Sequence, residues 1–151
     1  MTQQKEVIST VNGLIETLKD GHKGYQEAAE AVKDPQLKSL FDQYSQQRSR
    51  FATELQNQAK ILGEEEPEKT SSAAGAMHRA WISLKSAATS GDDHAILAEC
   101  ERGEDSAINE YKEALENGLT SPLRDIVSRQ YREVITAHDR IKNLRDTAKK
   151  S

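Results

Sequence analysis

Residues 99–111 read ECERGEDSAINEY and place a carboxylate, Glu104, inside an apolar stripe. Leu97, Cys100, Ala107, Ile108, Tyr111 and Leu115 recur around it at three- and four-residue spacings, the pattern of a helix face turned toward a core. Glutamate is almost never fully buried without a partner. The stretch therefore predicts a core helix and requires that a facing element bring a cation or a donor to Glu104.

Working outward, three more segments carry the same periodicity. Over roughly residues 3–33, Val7, Val11, Leu14, Leu18, Tyr25, Ala28, Ala29 and Val32 share a face. Over 35–62 the stripe is Leu37, Leu40, Phe41, Tyr44, Arg48, Phe51, Leu55 and Leu62. Residues 92–117 contain the opening stretch, and over 122–148 Leu123, Val127, Tyr131, Val134, His138 and Ile141 align. Asp34-Pro35 reads as an N-cap followed by proline at the first helical position, and Ser121-Pro122 as a second such start. Asn117-Gly118 closes the segment before it. Between the second and third segments, GEEEPEKTSSAAG is a polar loop and AMHRAWISLKSAA a short helix, with Trp81, Ile82 and Leu84 for burial. A connection of about 30 residues spans the ~40 Å length of a long helix, which allows the second and third helices to run parallel. The expectation is an all-α, single-domain four-helix bundle over 1–151, with a short extra helix in the long crossover.

Composition narrows the function. The chain has 151 residues, 30% charged and 35% hydrophobic, with a net charge of −4, which speaks against a broad nucleic-acid surface. No apolar run approaches the ~20 residues of a membrane span, and no basic region precedes an apolar stretch as in a signal peptide. A lone cysteine forms no internal disulfide, so the cytoplasm is the expected compartment.

One ionisable residue sits near the centre of three stripes: Arg48, Glu104 and His138. Counted from the turns, Leu18, Arg48, Glu104 and Ile135 lie at similar depth, with His138 about one helical turn, ~5 Å, away. Side chains lean toward the N-terminus of their own helix, which brings the three toward one another. The favoured reading is a buried polar layer in which Arg48 pairs with Glu104 and His138 completes the network. A displaced metal site built from His22, Glu101, Glu104 and His138 is the alternative, with iron, manganese or zinc as its ion. Cys100 reads as a buried, inert thiol, His78 and Trp81 as packing residues, and Glu27, Glu30 and the EEEPE loop as solvated surface.

DGHKGYQEAAE, QQRSRFATEL with ILG, HRAW and ECERGEDSAINEY together resemble an uncharacterised bacterial family of ferritin-like four-helix bundles, over nearly the whole chain. Di-iron proteins of the ferritin-like superfamily carry single glutamates on two helices and Glu-x-x-His pairs on the other two. In the register the resemblance implies, those ligands fall at Leu18, Arg48 with Phe51, Glu104, and Ile135 with His138. Two of the six ligand types remain, a degenerate di-iron site in which Arg48 supplies the charge of the missing metal. The resemblance implies a stress-associated protein, and the degenerate site one without catalysis or cofactor, acting through an unknown protein partner or self-association; a homodimer is the general default for a soluble bundle. A metal-binding oxidoreductase or iron-handling protein is the competing class.

Overall fold

The computed structural model describes residues 2–63, Trp81 and 92–148. Four helices account for nearly all of them: α1 (Thr2–Ala31), α2 (Pro35–Ile61), α3 (Asp93–Glu116) and α4 (Leu123–Thr147). The expected short helix around Trp81, with His78, Ile82, Leu84 and the polar loop, lies outside the described residues.

Two apolar clusters fix the chain directions. One joins Val11–Leu18 of α1, Phe51–Ala59 of α2, Ala107–Ala114 of α3 and Leu123–Val134 of α4. The other joins Tyr25–Val32, Leu37–Phe41, Ile96–Cys100 and Ile141. The C-terminal halves of α2 and α3 thus share one end with the N-terminal halves of α1 and α4. Helices α2 and α3 run parallel, and the connection between them crosses the length of the bundle. Helix α1 packs on α2 and α3, and α4 packs on α3 and more lightly on α2, which sets α2 and α3 on a diagonal.

The turns follow their local chemistry. Asp34 caps α2, its carboxylate accepting from the Gln36 amide at 2.9 Å, and Pro35 occupies the first turn. The Asp93 carboxylate accepts from the Lys33 and Asp34 amides at 3.0 and 3.1 Å, tying the α1–α2 turn to the start of α3. Asn117 caps α3 and Gly118 follows at φ +74°, where a side chain would be strained. Helix α4 starts differently from the expected Ser121 cap. Pro122 itself is the cap residue, and Ser121 donates its hydroxyl to Asp125 at 3.1 Å.

Trp81 is buried, 6% exposed, and its position explains two glycines in helix interiors. A β-carbon on Gly24 of α1 would stand 2.3 Å from the indole Cε3, and one on Gly103 of α3 would stand 2.3 Å from Cε2. The two glycines form a slot that holds the ring against both helices. Tyr25 meets the indole edge-on, with centroids 5.2 Å apart, and also packs on Phe41 and Tyr44.

Glycine to alanine in a helix ordinarily stabilises by about 1 kcal/mol. At Gly24 and Gly103 the added carbon collides with a packed ring, so Gly103→Ala is expected to destabilise the chain by about 1–3 kcal/mol. Gly13, with nothing within 4 Å of an added β-carbon, is the control and should gain stability on the same change. Because Trp81 is the sole tryptophan, its emission reports directly: it should shift to longer wavelength in Gly103→Ala and stay unmoved in Gly13→Ala, with denaturant melts giving the energies.

Candidate functional site

At the centre of the bundle the Arg48 guanidinium reaches across the diagonal to Glu104. Nη1 donates to Oε1 at 2.5 Å and Nη2 to Oε2 at 2.7 Å, a bidentate pair with residues 1% and 0% exposed. Burial disfavours the charged guanidinium, yet the facing carboxylate outweighs it and holds Arg48 above its ordinary pKa. Arg48 Nε donates to the Gln47 amide oxygen at 3.2 Å, and its Cζ lies 5.5 Å from the centroid of the Tyr25 ring. Burial, and then the Glu104 carboxylate, push the Tyr25 phenol well above its usual range. The same two causes raise the Cys100 thiol, which is fully buried and so kept in its unreactive form.

A second polar layer lies toward the α3–α4 turn. The Tyr111 hydroxyl donates to Gln130 Oε1 at 2.7 Å, and the Gln130 amide donates to Glu54 at 2.8 Å and to the Phe51 carbonyl at 3.4 Å. Arg129 closes the chain on the other oxygen of Glu54. Gln130 is completely buried, and these partners satisfy it.

His138 stands outside the central pair. The α4 stripe runs Leu123, Val127, Gln130, Val134, Ala137 and Ile141, so Tyr131, Ile135 and His138 fall on its edge. His138 Nε2 lies 2.7 Å from Asp105 Oδ1 and 3.9 Å from Glu101 Oε2, while Nδ1 is 3.1 Å from Asp139. Partial burial lowers the His138 pKa, but Asp139, Asp105 and Glu101 together raise it above the usual value. Arg145 Nη1 approaches the other Glu101 oxygen at 2.7 Å. His22 lies apart from this group and faces α2, where Nδ1 donates to the Ser45 carbonyl at 2.9 Å and the Ser45 hydroxyl donates to the His22 carbonyl at 2.8 Å. The four residues His22, Glu101, Glu104 and His138 are therefore divided among three surroundings, and Asp105 joins the two that remain together. Among the positions the resemblance assigns to iron ligands, Leu18 and Phe51 are buried apolar residues and Ile135 is half-buried. Glu27 is half-buried and Glu30 exposed.

Residues 6–117 match the family described as Domain of unknown function (DUF2383). The chain belongs to this family. No individually curated protein matches it. The DUF2383 match takes in α1 from Glu6, all of α2 and α3, and so both halves of the Arg48–Glu104 pair. Helix α4, with Gln130 and His138, falls beyond it.

Ser45, Glu54, Asp105, Arg129, Gln130, Asp139 and Arg145 are among the participants that residue patterning passed over. Gln130 was detectable: 123, 127, 130, 134, 137 and 141 alternate steps of four and three, a stricter core spacing than one routed through Tyr131 and His138. Asp105 carried no such signal, since it is exposed and meets His138 only once α3 and α4 are packed.

The central pair makes a quantitative prediction. Removing one member of a buried ion pair leaves an uncompensated charge or an unmet fork of donors, at a cost of ~3–5 kcal/mol. Arg48→Met and Glu104→Leu should each lose about that much in urea melts. The double variant should recover most of the loss; strictly additive losses would show that the two residues do not interact.

Proposed function

We propose that this DUF2383 member is a cytoplasmic bundle of ferritin type in which an ion pair stands where relatives hold two metals, and that it acts without catalysis. Its working surfaces are then its outer faces, engaging another protein or a second copy of the chain. The link to stress and the bacterial origin rest on the sequence resemblance alone.

The observation that supports this reading is the bidentate Arg48–Glu104 pair on the diagonal between the two parallel helices. It consumes both oxygens of the one carboxylate retained from the ligand pattern. A fixed guanidinium at that point repels any cation, and a dimetal centre needs several carboxylates to balance its charge. The side chains of Leu18 and Phe51 add no donor. Among the described helices none is long and apolar enough to cross a membrane, which fits the proposed compartment.

A second reading, a metal-handling protein with a displaced ligand set, draws on the Glu101–Asp105–His138 group at the α3–α4 seam. The two readings separate by where metal is held. Protein purified without chelator should contain far less than one core-bound iron per chain and show no ferroxidase activity. Two irons per chain, retained in His138→Gln and lost in Glu104→Gln, would overturn the ion-pair reading. Sedimentation over a range of protein concentrations tests self-association, and a monomer throughout leaves a different protein as the partner.

A further inference from the structure

Glu101 and Asp105 are four residues apart on α3, so both carboxylates rise from one face of that helix. His138 meets them from α4, and one ligand atom from each of the three residues lies within 4.8 Å of the other two. Donor atoms bonded to one zinc-like ion at 2.0–2.2 Å stand about 3–4 Å apart. The group is thus within a small side-chain adjustment of coordination geometry. Asp105, 57% exposed, is the member best able to make that adjustment, while Glu101 and His138, 12% and 16% exposed, hold their places.

The imidazole is oriented for the task. Its Nδ1 faces Asp139 Oδ1 at 3.1 Å, and a proton held there leaves Nε2 with its lone pair toward Asp105 and Glu101. A carboxylate on the outer nitrogen is the arrangement that fixes a metal-binding histidine. A proton on Nε2 bonds to Asp105 at their 2.7 Å separation, and a divalent ion in that proton's place would face the Nε2 lone pair and both carboxylates at once. Arg145 supplies charge from the side, at Glu101 Oε1, and Asp146 also engages it at 2.9 Å. Glu101 Oε2 remains directed at His138. Glu101, Asp105, Asp139 and Asp146 gather around His138 and Arg145 there, and a dication between Glu101 and Asp105 is drawn by both carboxylates.

We propose that Glu101, Asp105 and His138 form a binding site for a divalent first-row transition ion at the α3–α4 seam, completed by water and distinct from the occupied core. One imidazole and two carboxylates suit zinc, iron or manganese, and zinc binds such mixed sets more tightly than manganese or iron(II). The ion joins two helices, so binding stabilises the folded chain by mass action. The site is independent of the ion-pair reading of the core, since neither Arg48 nor Glu104 takes part.

The test is calorimetric titration of tag-free, chelator-stripped protein with Zn2+ alone, with thermal melts alongside. The expected result is one equivalent per chain in the micromolar range, with a rise in Tm. His138→Gln and Asp105→Asn should each weaken binding about tenfold or more, the scale on which even outer-shell changes act at metal sites. His22→Gln, at a histidine bonded to Ser45 on another face, should leave binding unchanged. Asp105→Asn removes an exposed carboxylate and leaves the core intact, so its effect is read on a folded chain. Absence of saturable binding overturns the proposal, as does binding that survives both seam substitutions or falls equally in His22→Gln.

Discussion

The Arg48–Glu104 pair constrains the fold more tightly than any apolar contact in it. A hydrophobic stripe tolerates rotation and sliding, because one leucine replaces another with modest loss. A buried guanidinium does not. Its fork must find both carboxylate oxygens, and a helix shifted by one turn, ~5 Å, leaves two charges apart in a medium of low dielectric. The pair therefore fixes the register between α2 and α3, which are diagonal neighbours with little direct packing of their own. It also favours the parallel arrangement. Helical side chains lean toward their own N-termini, so in parallel helices Arg48 and Glu104 lean toward the same end and meet at one depth.

The surroundings of the pair are organised around this demand. Tyr25 presents its ring face to the guanidinium and its edge partner to Trp81, which links the charged layer to the aromatic cluster at one end. Gly24 and Gly103 let the indole approach both helices, and each sits next to a member of this layer in sequence, Tyr25 and Glu104. The crossover residue Trp81 is thereby seated beside the register-setting pair. Toward the other end, Tyr111, Gln130 and Glu54 satisfy one another in a second layer. Two polar layers at different depths distinguish the correct alignment of four otherwise similar stripes, a use of buried polar groups known from coiled-coil registry.

Much of this is legible in the residue pattern. Three-and-four spacing gives the four helices, Asp34-Pro35 and Asn117-Gly118 give two of the turns, and the burden on Glu104 points to Arg48. The placement of His138 was not readable to the same degree. Positions 130 and 131, and 137 and 138, are adjacent candidates for the same stripe, and hydrophobicity favours Tyr131 over Gln130. Packing reverses that preference because Gln130 finds Tyr111, Glu54 and the Phe51 carbonyl. Once Gln130 faces inward, Ala137 does too, and His138 is turned to the seam. The glycine slot was hidden for a different reason: a glycine inside a helix signals close approach, but its sequence does not say what approaches.

The core and the seam differ in what they can exchange. Arg48 is locked in its charged form, and its partner is enclosed by apolar side chains, so proton and cation traffic at the centre is suppressed. At the proposed seam site, an imidazole flanked by exposed and half-buried acids would exchange a cation with solvent while the central pair stays in place. A bundle of this kind separates two duties that a buried metal centre would combine. The fixed pair specifies the architecture, and the proposed outer site stands apart from it, where solvent reaches Asp105.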